Sequence, residues 1–309
     1  MINRELIRIK AVQLVYACLT NGDISLEEAA KEMDKSLLQA YDLYHHMLSL
    51  ICEVTDYAAQ RYEVYCAQAL ERDPKAALPD DRFVANRFAA QLESNRQLEQ
   101  FICNHKQLRW TDHEDVVHNL YDQITQSPEY EAYMTATTNS YEADRELWRA
   151  LYKKYFVECE LIDDALEEWS IYWNCDRQII DSFVIKTIKR FEEENGDKQQ
   201  LMDPYNSNDD RNFGRDLLVR TLNCRPESEQ LIKDHIRNWE LDRLVRMDMA
   251  VMLTALAEIT CFPEISVNVS LNEYINIAKL YCTYKNIRFI NATLDSIVRD
   301  LRSQGKLLK

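Results

Sequence analysis

Apolar residues recur along this chain at three- and four-residue steps, the repeat of a helix with one buried face. Ile7, Ala11, Leu14 and Cys18 form one stripe, which predicts a helix over residues 4–20. Asn21-Gly22 closes it by supplying a residue that tolerates positive φ. Ser25-Leu26-Glu27-Glu28 opens the next helix as a capping box, in which the Ser oxygen and the Glu carboxylate each take a free backbone N–H. Helical periodicity continues from Leu37 to Ala69, and a turn-rich connector follows over 73–81. It resumes over 82–104, 112–125, 129–169 and 177–194. Residues 192–212 turn polar around Asn195-Gly196 and Asp203-Pro204, which predicts a loop or linker. Phe213 to Trp239 is helical again, with Pro226 near its middle, where it breaks or kinks the helix unless it occupies a first turn. Leu241 to Ile259 predicts a strongly apolar helix, and Pro263 marks a turn. Ser270-Leu271-Asn272-Glu273 reads as a second capping box opening a helix through Lys279, and Asn286 as the N-cap of a final helix to Leu301.

Composition narrows this to an all-α fold. Four glycines and six prolines in 309 residues are too few for the turns of a β-rich chain. An apolar share of 46% is enough for a core. Met1 to Glu5 shows no apolar leader, and no run of about 18 apolar residues occurs, which predicts a soluble cytoplasmic protein. Nine cysteines without a C-x-x-C pair predict reduced thiols rather than a metal site.

Charge is uneven. Residues 36–210 hold 34 acidic and 17 basic side chains, a net of −17; the rest holds 18 and 20, a net of +2. The overall −15 therefore sits in the middle, and the chain ends are free to carry a basic patch.

The sequence contains no G-x-x-x-x-G-K, G-x-G-x-x-G, H-E-x-x-H or G-x-S-x-G, and four glycines cannot build a phosphate loop or a methyl-donor site. Asp42-x-x-His45 and Asp115-x-x-His118 each set a carboxylate and an imidazole one turn apart, but the di-iron pattern needs Glu-x-x-His twice plus two further glutamates. The expectation is no enzyme, no cofactor and no metal. Two clusters remain. Arg4 and Arg8 lie one turn apart, with Lys10 beyond them. Lys285, Arg288 and Phe289 set two cations beside a flat ring, which suits an unstacked base as well as a core position. In the middle region, Trp148, Tyr152, Tyr155, Phe156, Trp169, Tyr172 and Trp173 read as core first, and as a surface for a basic protein second.

Several segments share an order and spacing. Arg8-Ile9-Lys10-Ala11-Val12-Gln13-Leu14-Val15-Tyr16 stands at one end. Phe213-Gly214-Arg215-Asp216, Trp239 with Leu241-Asp242-Arg243, Met247 to Glu258, Leu271-Asn272-Glu273-Tyr274-Ile275-Asn276-Ile277-Ala278-Lys279 and Phe289 to Asp295 stand at the other. Together they resemble the NusB family of bacterial transcription antitermination factors. The likeness covers about 4–35 and 211–300, and it departs at Glu5-Leu6, which thin the family's Arg run, at Ile290-Asn291-Ala292 in place of V-N-G, and at Asn286 where Ser is common. It implies a helical bundle from residues 1–35 and 211–309, with 36–210 as an acidic helical insertion. It also implies contact of Arg4, Arg8, Lys10, Gln13, Tyr16, Lys285, Arg288 and Phe289 with boxA-like single-stranded RNA. The small-subunit ribosomal protein NusE would be held near Asp248 and Glu258, within a transcription elongation complex. A different reading of the same residues is a protein-binding adaptor that has lost RNA affinity.

Overall fold

The computed structural model describes residues 1–22, 24–173, 175–205, 207–236 and 244–307. In chain order its α-helices are α1 (Arg4–Asn21), α2 (Leu26–Arg72), α3 (Arg87–Glu93), α4 (Arg96–Asn104), α5 (Glu114–Thr125), α6 (Pro128–Thr135) and α7 (Tyr141–Leu151). They continue as α8 (Glu160–Trp169), α9 (Arg177–Arg190), α10 (Asn208–Asn223), α11 (Arg225–His235), α12 (Arg246–Cys261), α13 (Val267–Tyr281) and α14 (Tyr284–Ser303). Among the described residues the only β pairing is a single bridge from Ile2 to Tyr205, so the fold is all-α. Two compact units form: Met1–Leu38 with Pro204–Lys309, and Gln39–Asp203. The second holds 32 acidic and 17 basic side chains, and the first holds 20 of each.

In the first unit α12 is the central element. Every residue from Asp248 to Ile259 is buried, as a helix apolar all round requires. α1, α10, α11, α13 and α14 pack against it. Asn3 caps α1 through its side chain, and Gly22, at φ 100°, ends it. The Ser25–Glu28 box forms as expected, with Ser25 N–H donating to Glu28 Oε2 (3.0 Å) and Glu28 N–H to Ser25 Oγ (3.2 Å). Gly214 sits at a close approach: a Cβ there would lie 2.8 Å from Met33 Cε, a flexible side-chain end that would have to shift, and 3.1 Å from Ile7 Cγ2. The Phe213-Gly214 motif thus marks where α10 meets α1 and α2.

Several expected boundaries move. α2 runs unbroken from Leu26 to Arg72, three residues past the periodicity that ended at Ala69. Pro226 marks a break, as one of its expected outcomes: it lies in the first turn of α11, where its missing N–H costs nothing, and the chain turns at Cys224. Ser266 caps α13 and Thr283 caps α14. Ser270 and Asn286, expected as caps, are instead drawn to buried carboxylates described below. Trp239 and Leu241-Asp242-Arg243 lie outside the described residues.

In the second unit the aromatic run is largely core. Trp110, Trp148, Tyr152, Phe156 and Trp173 are buried, with Trp110 Nε1 donating to His46 O (2.8 Å) and Trp173 Nε1 to Gln39 O (2.7 Å). The polar stretch expected as a linker is pinned over its first half: Gln91 Nε2 donates to Glu192 O and Gly196 O, and Asn95 Nδ2 to Gln199 O. Of the histidines in the two Asp-x-x-His pairs, His45 stacks on Phe101, and His118 lies tilted against Tyr57, ring centres 4.2 Å apart. Among the described residues no group of three or more His, Cys, Asp or Glu could hold a metal.

Candidate nucleic-acid interface

α1 carries five of the candidate residues, and the first unit treats them very differently. Arg8 is 4% exposed and is committed inside. Its Nε and Nη2 donate to the two oxygens of Glu258 at 2.8 and 3.0 Å, and Nη1 reaches Glu273 at 3.3 Å. Glu258, fully buried, also accepts from Ser270 Oγ (2.7 Å) and Tyr274 OH (3.1 Å). Burial alone would lower the Arg8 pKa, but the hydrogen bond and charge of Glu258, with Tyr274 and Glu273, more than reverse this and raise it. Burial, then the Glu258 charge, holds the Tyr274 phenol well above its ordinary value. This cluster ties α1, α12 and α13 together.

The expectation of an exposed Arg4–Arg8–Lys10 face is therefore corrected. Lys10 is 1% exposed, and Arg8 faces the core. Arg4 alone stays half-exposed, with Nε donating to Asp210 Oδ1 (3.0 Å) and its guanidinium 5.0 Å from the Phe213 ring centre. A stripe at four- and three-residue steps puts Arg4, Arg8 and Ala11 on one side of α1. That side meets α10 and α12, so an arginine on it survives burial only by finding Glu258.

Gln13 and Tyr16 lie further along α1. Gln13 Nε2 donates to Tyr281 OH (2.9 Å), joining α1 to the end of α13, and Tyr16 is 37% exposed. Three residues after Tyr281, α14 begins. Lys285 and Arg288 are exposed in its first turns, Phe289 is half-buried, and no acidic residue occupies its first turn. Tyr284, 76% exposed beside Lys285, was not among the expected residues. Its position at the start of a helix, before two cations, was the available signal. Gln13, Tyr281 and the start of α14 are thus brought together. Arg4 lies nine residues back along α1, roughly 13 Å away by helical rise.

Asp248 is also internal, at 3% exposed. Its Oδ2 accepts from Asn286 Nδ2 (2.7 Å). Burial raises the Asp248 carboxyl, while Cys282 and Asn286 pull it down. Burial and the Asp248 carboxylate push the Cys282 thiol up to about 12. Asp248 therefore holds the α13–α14 turn against α12 and fixes the start of α14. Neither it nor Glu258 presents a carboxylate to solvent, which corrects their expected place on an exposed partner surface.

The arrangement defines a class: a helical bundle with an exposed aromatic and cationic turn at one helix start, seated on buried ion-pair chemistry. The sequence model of the NusB family matches residues 178–299, beginning in α9. A transcription antitermination protein NusB of Salinibacter ruber is 33% identical over 136 residues, covering 41% of this chain and 82% of that protein. Those of Bacillus licheniformis (36% over 89 residues; 29% and 69%) and Bacillus subtilis (34% over 89 residues; 29% and 68%) are also similar. The chain belongs to the NusB family. No solved structure matches it significantly. Among the described residues no helix is long and apolar enough to cross a membrane.

Proposed function

We propose that this protein is a non-enzymatic factor of transcription antitermination that binds boxA-like single-stranded RNA together with NusE, in the elongation complex. Membership of the NusB family supports the role. The observation that carries the RNA reading is the start of α14, where exposed Tyr284, Lys285 and Arg288 sit next to the Gln13–Tyr281 contact. A helix start offers backbone N–H groups to a phosphate, and two cations one turn apart add charge to it. An exposed ring gives an unstacked base a platform. Gln13, Tyr16 and Phe289 border this site, and Arg4 adds a more distant phosphate contact. Arg8 and Lys10 act from within by fixing α1. Asp248 and Glu258 serve the partner surface as positioning residues, through the α14 start and the α1–α12–α13 junction. Residues 36–210, with their net −17, are an acidic insertion turned to a basic protein rather than to RNA.

The test is binding of a short boxA-like RNA by fluorescence anisotropy across a salt series, with and without NusE. With Arg4, Lys285 and Arg288 on phosphates, log affinity falls with log salt at a slope of about −2. Lys285→Glu with Arg288→Glu weakens binding at least tenfold with helicity unchanged. NusE and RNA tighten each other by the same factor. Unchanged RNA affinity in the double variant would remove the α14 start from the site. Binding of NusE with no RNA affinity would favour the adaptor reading, which the burial of Arg8 and Lys10 also supports.

A further inference from the structure

Cys224 and Cys261 are far apart in sequence and adjacent in space. Their Sγ atoms are 3.8 Å apart, and both residues are partly exposed. Cys224 is the corner between α10 and α11; Cys261 is the last residue of α12. One residue, Arg220, bonds both backbones, one through its own carbonyl and the other through its side chain. Arg220 accepts the Cys224 N–H at its carbonyl (2.9 Å), donates from Nη1 to the Cys261 carbonyl (2.5 Å), and lies 4.8 Å from the Phe262 ring centre. The helix ends that carry the two thiols are thus both bonded to Arg220, and the two sulfurs lie side by side.

We infer that Cys224 and Cys261 are a modification site, a dithiol that closes to an internal disulfide on meeting a small-molecule disulfide such as oxidised glutathione. One thiolate attacks a reagent sulfur, giving a mixed disulfide and releasing one glutathione thiolate. The second thiolate attacks the protein sulfur of that mixed disulfide, and the second glutathione leaves. The two thiol protons end on the two released glutathiones. The protein gives up two electrons and two hydrogens, and the reagent is reduced by the same two electrons. Burial, then the neighbouring Cys261 and Glu227, raises the Cys224 thiol, with Arg220 opposing. Proximity rather than acidity thus drives closure. The sulfurs need approach by only about 1.8 Å to reach bonding distance. Cys103 and Cys175 are exposed and take the same reagent as glutathione adducts. The bond would tie the α10–α11 corner to α12, one turn beyond Glu258.

The experiment treats the full-length protein with oxidised glutathione, quenches with acid, alkylates remaining thiols, and maps peptides by mass spectrometry without reduction. The expected product is a Cys224–Cys261 linked peptide two hydrogens lighter than its parts, reversed by dithiothreitol, with adducts at Cys103 and Cys175. In Cys261→Ser the link disappears and Cys224 is left alkylated or as its glutathione adduct. Stable glutathione adducts at both Cys224 and Cys261 in the wild type would overturn the proposal. So would links from either to another cysteine, or both thiols remaining alkylatable while Cys103 is modified.

Discussion

Glu258→Gln isolates the charge at the centre of the first unit while keeping the side chain's volume. The carboxylate is fully buried and accepts hydrogen bonds from Arg8 on both oxygens and from Ser270 and Tyr274. The amide leaves one oxygen and introduces two N–H donors opposite groups that already donate. The Arg8 guanidinium then keeps only Glu273 as a counter-charge, at 3.3 Å and a third exposed, against the cost of its own burial. Removing one member of a buried pair costs about 3–5 kcal/mol. Glu273 remains as a partial counter-charge, so the lower figure applies: about 3 kcal/mol, or about a hundredfold in the opening equilibrium. A chain of two units need not unfold in one step, so the readout should be local. Hydrogen exchange of the α12 amides between Met249 and Ile259 reports it, and protection there should fall about a hundredfold. Replacing both partners, Arg8→Met with Glu258→Leu, should recover most of the loss, because no charge is then left buried alone. Exchange in Glu258→Gln within threefold of wild type would refute the reasoning.

Two other outcomes test the second unit and the division of the chain. His46, ringed by Phe101, His105, Trp169 and Trp173, is pushed down to about 3 by burial and by His105 and His45, while His45 falls to about 4. Between about pH 6.5 and those values the unfolded chain binds protons that the folded one does not, so stability is lost as pH falls. His46→Phe should remove about 2–3 kcal/mol of the loss between pH 6.5 and 4.5, measured as urea midpoints by tryptophan fluorescence; equal pH slopes would contradict it. Replacing residues 39–203 with a short Gly/Ser linker should leave a helical, cooperatively melting first unit, and a molten product by near-ultraviolet circular dichroism would show that the middle region completes its core.

Much of this protein is legible in its sequence. Low glycine and proline with three- and four-residue periodicity fix an all-α chain, since helix formation depends on local spacing and local caps. The Ser25–Glu28 box and Gly22 formed where the sequence put them, because each satisfies backbone groups within one turn. The family was legible from motifs at both ends of the chain. The start of α14 could be located, yet its cap could not: Asn286 and Thr283 are both capping residues three apart. Thr283 takes the cap, its Oγ1 accepting from the Asn286 N–H, while the Asn286 side-chain amide donates to Asp248.

What the sequence could not supply was which side of each helix faces the core. Arg4, Arg8 and Lys10 read alike as cations near one helix start, and only the packing of α1 on α12 separates them. Glu258, 250 residues further on, lies opposite Arg8, so that arginine is internal while Arg4 stays half in solvent. The same holds for Ser270, which reads as a cap and instead completes the shell of Glu258, and for Cys224 and Cys261, scattered in sequence and 3.8 Å apart in the fold. Local chemistry sets the elements. A buried charge is tolerable only where a partner from another element meets it, and that meeting is decided by tertiary packing.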